Sequence, residues 1–443
     1  MWTSFNIVMW LSSIFMSRII WNSEAIPLDV YDFHSTQHSF QINEFNNKEI
    51  SGKFLHITDL HLDPYYLPNS NPKKYCHRYA KKSKKNKSGK FGTLGSDCDS
   101  PYALLDSTFS FLKENFHDAD FIIYTGDSLR HDRDSKIPFP NDDVISGHKS
   151  IVKYVTESLD LSKTKFIPTL GNNDEWEHNQ LEGGPNTLFE NLTQIWAPLN
   201  LNLTSEFANG GYFRQDINSK LSVFSLNSMY FYESNDQIKD CDQINSPGAI
   251  QLKWFKNQLK NARQEGRRVL IAQHIPPLDS DGESSFLPQC EEKFVQLLGE
   301  FAEIISGHFT GHTNLDTLTF VTESENISGK YNLYYLDKDE GPSKKSTDNI
   351  ILILNNAPSI IPGKYSTSSK MFGVLSDYIQ YYLDINKANE IGRAEWKIEY
   401  IASEAYDMKQ LSPSEWAKVL DEMKSDQSES WQNYLKFVTV SSE

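Results

Sequence analysis

The chain has 443 residues, 38% of them apolar and 13% aromatic, which is enough for a large buried core in one big domain with an appendage, or in two domains. A formal net charge of −16 argues against a general nucleic-acid binder and favours a soluble, self-repelling surface.

Residues from about Phe5 to Trp21 are mostly apolar, but Ser12, Ser13 and Arg18 interrupt them. The run falls short of the ~20 residues a membrane helix needs. Ser23-Glu24-Ala25 puts small residues where a signal peptidase cuts, although no basic residue precedes the apolar core. Residues 1–25 therefore read as a signal peptide, with a retained signal-anchor as the alternative. A membrane is a partner only in the second case. Four cysteines, at 76, 98, 241 and 290, suit an oxidising compartment. Chain order suggests Cys76 with Cys98 and Cys241 with Cys290, though three pairings are open. Sequons at Asn86, Asn191, Asn202 and Asn326 agree with the secretory route.

Residues 26–50 show no periodicity and read as a linker, and the main body begins at Ser51. Phe54-Leu55-His56-Ile57 predicts a buried strand, stopped by Asp63-Pro64. Asp59 and His61 lie two apart at its end, and period-two geometry sends both side chains to one side, where they can grip a divalent cation. A basic segment follows, with Lys73, Lys74, Arg78, Lys81, Lys82, Lys84, Lys85, Lys87 and Lys90. It is either a solvated surface loop or a collector for a polyanion, held near the strand if Cys76 pairs with Cys98.

Helical spacing over Pro101–Asn115 leads to a strand ending at Gly126-Asp127, with His131 in the loop beyond. A helix over Val144–Leu159 precedes a strand, Lys165–Leu170, that runs into Gly171-Asn172-Asn173-Asp174, with His178 and Asn179 after it. Further strands over Lys220–Leu226 and Arg268–Ala272 alternate with helices over Gln251–Ala262 and Phe294–Phe301. The strand at 268–272 ends at Gln273-His274, and a short strand at Ile304–Ser306 opens into Gly307-His308 and Gly311-His312-Thr313-Asn314. This is the rhythm of an α/β layered fold with functional loops at strand ends. A late strand over Asn349–Leu354 closes the body, taken as residues 51–365. Strands over Val374–Leu383 and Trp396–Ile401 and helices over Pro413–Met423 and Trp431–Phe437 then form a C-terminal α+β extension, residues 366–443, packed on the core.

The ordered set Asp59/His61, Gly126-Asp127, Gly171-Asn172, His274 and Gly311-His312-Thr313-Asn314 resembles the calcineurin-like metallophosphoesterases over residues 51–320. Cys98-Asp99-Ser100-Pro101 and Asn355-Asn356-Ala357-Pro358-Ser359 are similar to the acid sphingomyelinase-like branch. Gly171-Asn172-Asn173-Asp174 with His178-Asn179, the Gly-His-x-Asn form at 311–314 and the basic loop resemble the fungal endopolyphosphatase group. The resemblance implies a layered β-sandwich flanked by helices and two divalent ions (Mn, Mg, Zn, Co or Fe). Asp59, His61, Asp127 and Asn314 would hold one, and Asp127, Asn172, His274 and His312 the other. It further implies internal cleavage of inorganic polyphosphate, or of another phosphate-containing anion, in the vacuole lumen or at its membrane, with the extracellular space as the alternative.

Two departures bear on substrate. Many relatives have His where Asn173 and Asn314 stand. Without an acid at 173, an alkoxide leaving group is disfavoured, while for a phosphate, with a second pKa of ~6, metal and lysine charge suffice. Asn173 can still donate a hydrogen bond to a phosphoryl oxygen. His178 and His131 are candidates either for substitute acids or for residues that support the ligands, with ordinary loop histidines as the alternative, and His308 is a pocket candidate with no assigned role. The competing functions are a sphingomyelinase-like phosphodiesterase or nucleotide phosphohydrolase, and a non-catalytic polyanion binder on the same fold. Asn314 enriches the first ion's site in oxygen, so activity is expected to be higher with Mn or Mg than with Zn. Highest turnover with Zn in a metal-reconstitution series contradicts that expectation.

Overall fold

The computed structural model describes residues 6–14, 52–339, 341, 349–358 and 375–438. The strands are β1 (Asn6–Ile14), β2 (Gly52–Ile57), β3 (Phe121–Tyr124), β4 (Lys165–Pro168), β5 (Phe213–Asp216), β6 (Leu221–Ser225) and β7 (Arg268–Ala272). They continue with β8 (Ile305–Thr310), β9 (Thr317–Glu323), β10 (Tyr331–Tyr335), β11 (Ile350–Asn356), β12 (Leu375–Asp384) and β13 (Trp396–Ile401). Helices α1 (Tyr102–Asn115), α2 (Asn141–Ser158), α3 (Thr187–Ile195), α4 (Ser205–Gly210), α5 (Pro247–Gln264) and α6 (Pro288–Glu300) lie between strands. In the last third of the chain come α7 (Ile385–Ile391), α8 (Ala402–Ala405), α9 (Pro413–Met423) and α10 (Glu429–Val438).

The strands form two sheets, in the orders β13-β12-β1-β2-β3-β4 and β10-β9-β11-β8-β7-β6-β5. Strands β2, β3 and β4 run parallel, as do β6, β7 and β8. Buried on both faces, they read as short apolar runs. The sheets meet through Phe309 of β8, whose ring packs edge-on against Phe54 and His56 of β2 at 5.5 and 5.3 Å. On the outer faces, α5 starts at a Ser246 cap followed by Pro247 and buries Leu252, Phe255 and Leu259. Cys76 is bonded to Cys98 and Cys241 to Cys290, the pairing that chain order suggests.

Several elements extend or depart from expectation. Strand β8 runs on to Thr310 and takes in His308, and β9 with β10 forms an antiparallel hairpin that was not expected. Strand β5, Phe-Arg-Gln-Asp, is too polar to show a strand period. Residues 6–14, inside the stretch read as a signal or anchor, pair antiparallel with β2 and β12. The rest of residues 1–25, the 26–50 linker and the 365/366 boundary lie outside the described residues. Among those described, no helix is long and apolar enough to cross a membrane.

The C-terminal elements share the core. Strand β13 pairs with β12, and Trp416 of α9 is fully buried, with its ring 5.5 Å from Tyr406 and 6.5 Å from Phe320 of β9. Replacing Trp416 with Ala is expected to cost about 3–5 kcal/mol. The whole chain should then melt in one transition at lower temperature. A two-step melt whose main step is unmoved contradicts a shared core.

Candidate metal centre

The loops leaving the C-terminal ends of β2, β3, β4, β7 and β8 meet at one edge of the two sheets, carrying Asp59 and His61, Asp127, Asn172, His274, and His312 with Asn314. Such crevices beyond strand ends are where α/β folds place ligands. Asp59, His61, Asp127, His312 and Asn314 all have positive φ, from 39° to 71°. That region is unfavourable for side-chain-bearing residues and clusters at functional sites. It also corrects the period-two expectation. Strand β2 ends at Ile57, so Asp59 and His61 converge through left-handed turns rather than by alternation. Glycine is required beside them, since a Cβ on Gly311 would collide with Thr58 and Asp59.

At the centre, Asp127 Oδ2 lies 3.2 Å from His61 Nε2 and 3.4 Å from His274 Nε2. His61 Nε2 is also 3.4 Å from Asp59 Oδ1. Asn172 Oδ1 sits 2.9 Å from His274 Nε2 and 2.8 Å from His312 Nδ1. His61 Nδ1 donates to the Leu129 carbonyl and His274 Nδ1 to that of Thr125, which turns each Nε2 inward. Asp59 Oδ1 and Asn314 Oδ1 are buried with no hydrogen-bond partner among the described residues. Acceptors crowded this way repel one another unless a cation or protons lie between them. The donor set fits divalent ions.

The electrostatics agree. Burial alone would lower the His61 and His274 imidazoles, but the Asp127 carboxylate overrides it, raising His61 well above its usual value and His274 to about 9. Burial likewise opposes the Asp127 charge, yet His274 and His61 hold its carboxyl well below the usual range. His312 is lowered to about 4 by burial and by His274.

A surrounding layer fixes the ligands. The Asp174 carboxylate accepts from the backbone N–H groups of Asp127, Ser128 and Gly171 at 2.8–2.9 Å, tying two ligand loops together. Asn173 donates from its backbone N–H to Asp127 Oδ1 and from Nδ2 to Asp127 Oδ2, at 2.8 and 2.7 Å. One of its two side-chain N–H groups is thus committed to Asp127. Asn172 Nδ2 donates to His178 Nε2 and Asn179 Oδ1, both at 2.9 Å, which aims Asn172 Oδ1 at the two histidines. His131 stacks on His61 with ring centroids 4.2 Å apart, and its Nδ1 donates to Asp99 Oδ1 at 2.8 Å. Burial pushes its pKa down, with Asp99 opposing. Asp99 carries no ligand signal of its own, and only its place in the Cys-Asp-Ser-Pro run marks it. His308 is not in the pocket. It lies fully buried in β8, its ring 5.8 Å from Phe294 of α6, and burial lowers it to about 3, so it stays neutral.

The basic segment is anchored close by. His77 Nε2 and Nδ1 lie 2.8 Å from Asp63 and Asp134, and Arg78 pairs with Asp134 at 2.7 Å. Lys73, Lys81, Lys82, Lys84, Lys85, Lys87 and Lys90 are exposed and Lys74 half-buried. Among the described residues, none of these lysines forms an ion pair. The Asn86 side chain bonds both Ala80 N and Ala80 O, closing the segment, and Asn191 donates to Thr187 O. The sequon asparagines at 202 and 326 are exposed.

Residues 52–313 match the family model of calcineurin-like phosphoesterases. The chain belongs to that family. Residues 341–443 match the acid sphingomyelin phosphodiesterase C-terminal region. Curated relatives include endopolyphosphatases of Cryptococcus neoformans (32% identical; 66% of this chain, 47% of the relative) and Neurospora crassa (34%; 63% and 39%). The Saccharomyces cerevisiae endopolyphosphatase is 33% identical, with 61% of this chain and 41% of the relative covered. The chain thus spans less than half the length of these relatives. Among solved structures, a purple acid phosphatase from yellow lupin is 12% identical at a TM-score of 0.39, covering 80% of this chain and 55% of that one. A zebrafish (Danio rerio) dimetal phosphatase is 11% identical at 0.37, covering 74% and 94%.

His61 and His274 hold protons in the metal-free calcineurin-like centre that a cation must displace. Adding Mn²⁺ to metal-free protein at pH 7 is therefore expected to release protons, and metal affinity should weaken as pH falls. Calorimetry in buffers of different ionisation enthalpy reads the release. Binding with no proton release contradicts this charge arrangement.

Proposed function

We propose that this chain hydrolyses inorganic polyphosphate by internal cleavage of phosphoanhydride bonds at a two-metal centre. Asp59, His61, Asp127 and Asn314 would hold one ion and Asp127, Asn172, His274 and His312 the other, with Asp127 common to both sets. When bound, two divalent ions supply Lewis acidity toward phosphoryl oxygens and lower the pKa of water. The protein does the rest. Asn173 fixes both oxygens of Asp127, and His178 and Asn179 orient Asn172. His131, with Nδ1 committed to Asp99, keeps Nε2 for a proton at the edge of the centre.

The observation that carries the substrate is Asn173. It stands beside the bridging carboxylate with no transferable proton. A phosphate leaving group, with a second pKa of ~6, departs as an anion, whereas an alkoxide needs an acid. The exposed lysines from 73 to 90 gather the chain. The endopolyphosphatase names of the curated relatives support this reading, and the two disulfides suit a vacuolar or other secretory-route setting for it. The C-terminal match keeps a sphingomyelinase-like phosphodiesterase as the second reading. Asn173 speaks against it.

Asp127→Asn is expected to lower turnover of long polyphosphate by more than about a hundredfold while chain binding persists. Unchanged turnover contradicts the metal mechanism. Replacing Lys81, Lys82, Lys84 and Lys85 with Gln is expected to raise KM for long chains more than for tripolyphosphate, most strongly at low salt. Equal increases contradict a gathering role.

A further inference from the structure

We infer that Arg133 forms a phosphate subsite between the metal centre and the basic segment, binding the polyanion beyond the bond being cut; this rests on the polyphosphate reading above. The loop after β3 joins the two regions. Its Leu129 carbonyl and His131 ring pack on His61, while Asp134 holds His77 and Arg78 of the basic segment. Arg133 lies between those anchor points.

Its guanidinium makes one long ion pair, with Asp99. The nearest carboxylate oxygen is Asp99 Oδ1 at 3.8 Å, and both Asp99 oxygens already accept from His131 at 2.8 Å. Arg133 donates no hydrogen bond among the described residues, and its side chain is 42% exposed. Arg130, three residues earlier, is the contrast: it is buried, with its N–H groups on the carbonyls of His131, Ile137 and Pro138. Arg78 is already paired with Asp134. Asp99 Oδ1, the oxygen nearest the guanidinium, also accepts from Nδ1 of His131, whose ring stacks on His61, so Arg133 stands one residue away from the centre's ligand layer.

A rigid fork of five N–H donors, poised at the rim, matches the tetrahedral oxygens of a phosphate. A substrate with one phosphorus has nothing to offer it. A phosphoanhydride chain does. Arg133 thereby favours substrates with several linked phosphates.

The test compares wild type, Arg133→Gln and Arg133→Lys on long polyphosphate and on bis(4-nitrophenyl) phosphate with the same metal. The subsite predicts that R133Q raises KM for polyphosphate with a loss about tenfold larger than on the small diester, as for one lost charge-assisted contact. R133K should recover part of it. Equal losses on both substrates, or no change in KM for polyphosphate, overturn the subsite. Wild-type protein that cleaves the diester but not polyphosphate overturns the polyphosphate reading itself and removes the subsite's ligand with it.

Discussion

Everything at this site depends on one carboxylate oxygen. Asp127 Oδ2 stands within 3.4 Å of an imidazole nitrogen from each sheet, His61 beyond β2 and His274 beyond β7. Lone pairs that close, in a buried setting, demand positive charge between them. Protons supply it without metal, which is why His61 and His274 are raised while Asp127 is lowered. Divalent cations satisfy the same demand and add the reach of Asp59, Asn172, His312 and Asn314.

The strain of assembling such a crowd is distributed over the loops. Five candidate ligands sit at positive φ, each a conformation costing roughly 1–3 kcal/mol. Asp174 holds the β3 and β4 loops by three backbone hydrogen bonds, and Gly311 lets its loop press against Asp59. The two packed sheets supply the rigidity behind this edge. The Cys76–Cys98 bond and the His77 contacts then hold a cationic segment beside it.

Much of this was legible in the sequence, because ligand chemistry is written in residue type and strand ends are written in apolar runs. Asp59, His61, Asp127, Asn172, His274 and His312 are all brought together. How they converge was not legible. Alternation suggested that Asp59 and His61 share a strand face, whereas left-handed turns place them. That Asn173 also grips Asp127 through its backbone and side-chain N–H groups is something only the folded loop reveals. His308 follows a glycine as Asp127, Asn172 and His312 do, yet it sits inside β8 rather than beyond it. Asp99 and Asp174 act through hydrogen bonds that leave no spacing signature.

The chemistry of the centre and the choice of substrate are separable. The donor set speaks of cations and phosphorus, and the family match agrees. On the proposed reading, Asn173, the exposed lysines and Arg133 favour a multiply charged chain whose leaving group needs no acid. The centre is the foundation of both, and anomalous diffraction from crystals grown with Mn²⁺ tests it most directly. Two peaks that share Asp127, one beside Asp59 and His61 and one beside Asn172, His274 and His312, are the predicted result. A single peak, or peaks away from Asp127, would contradict it.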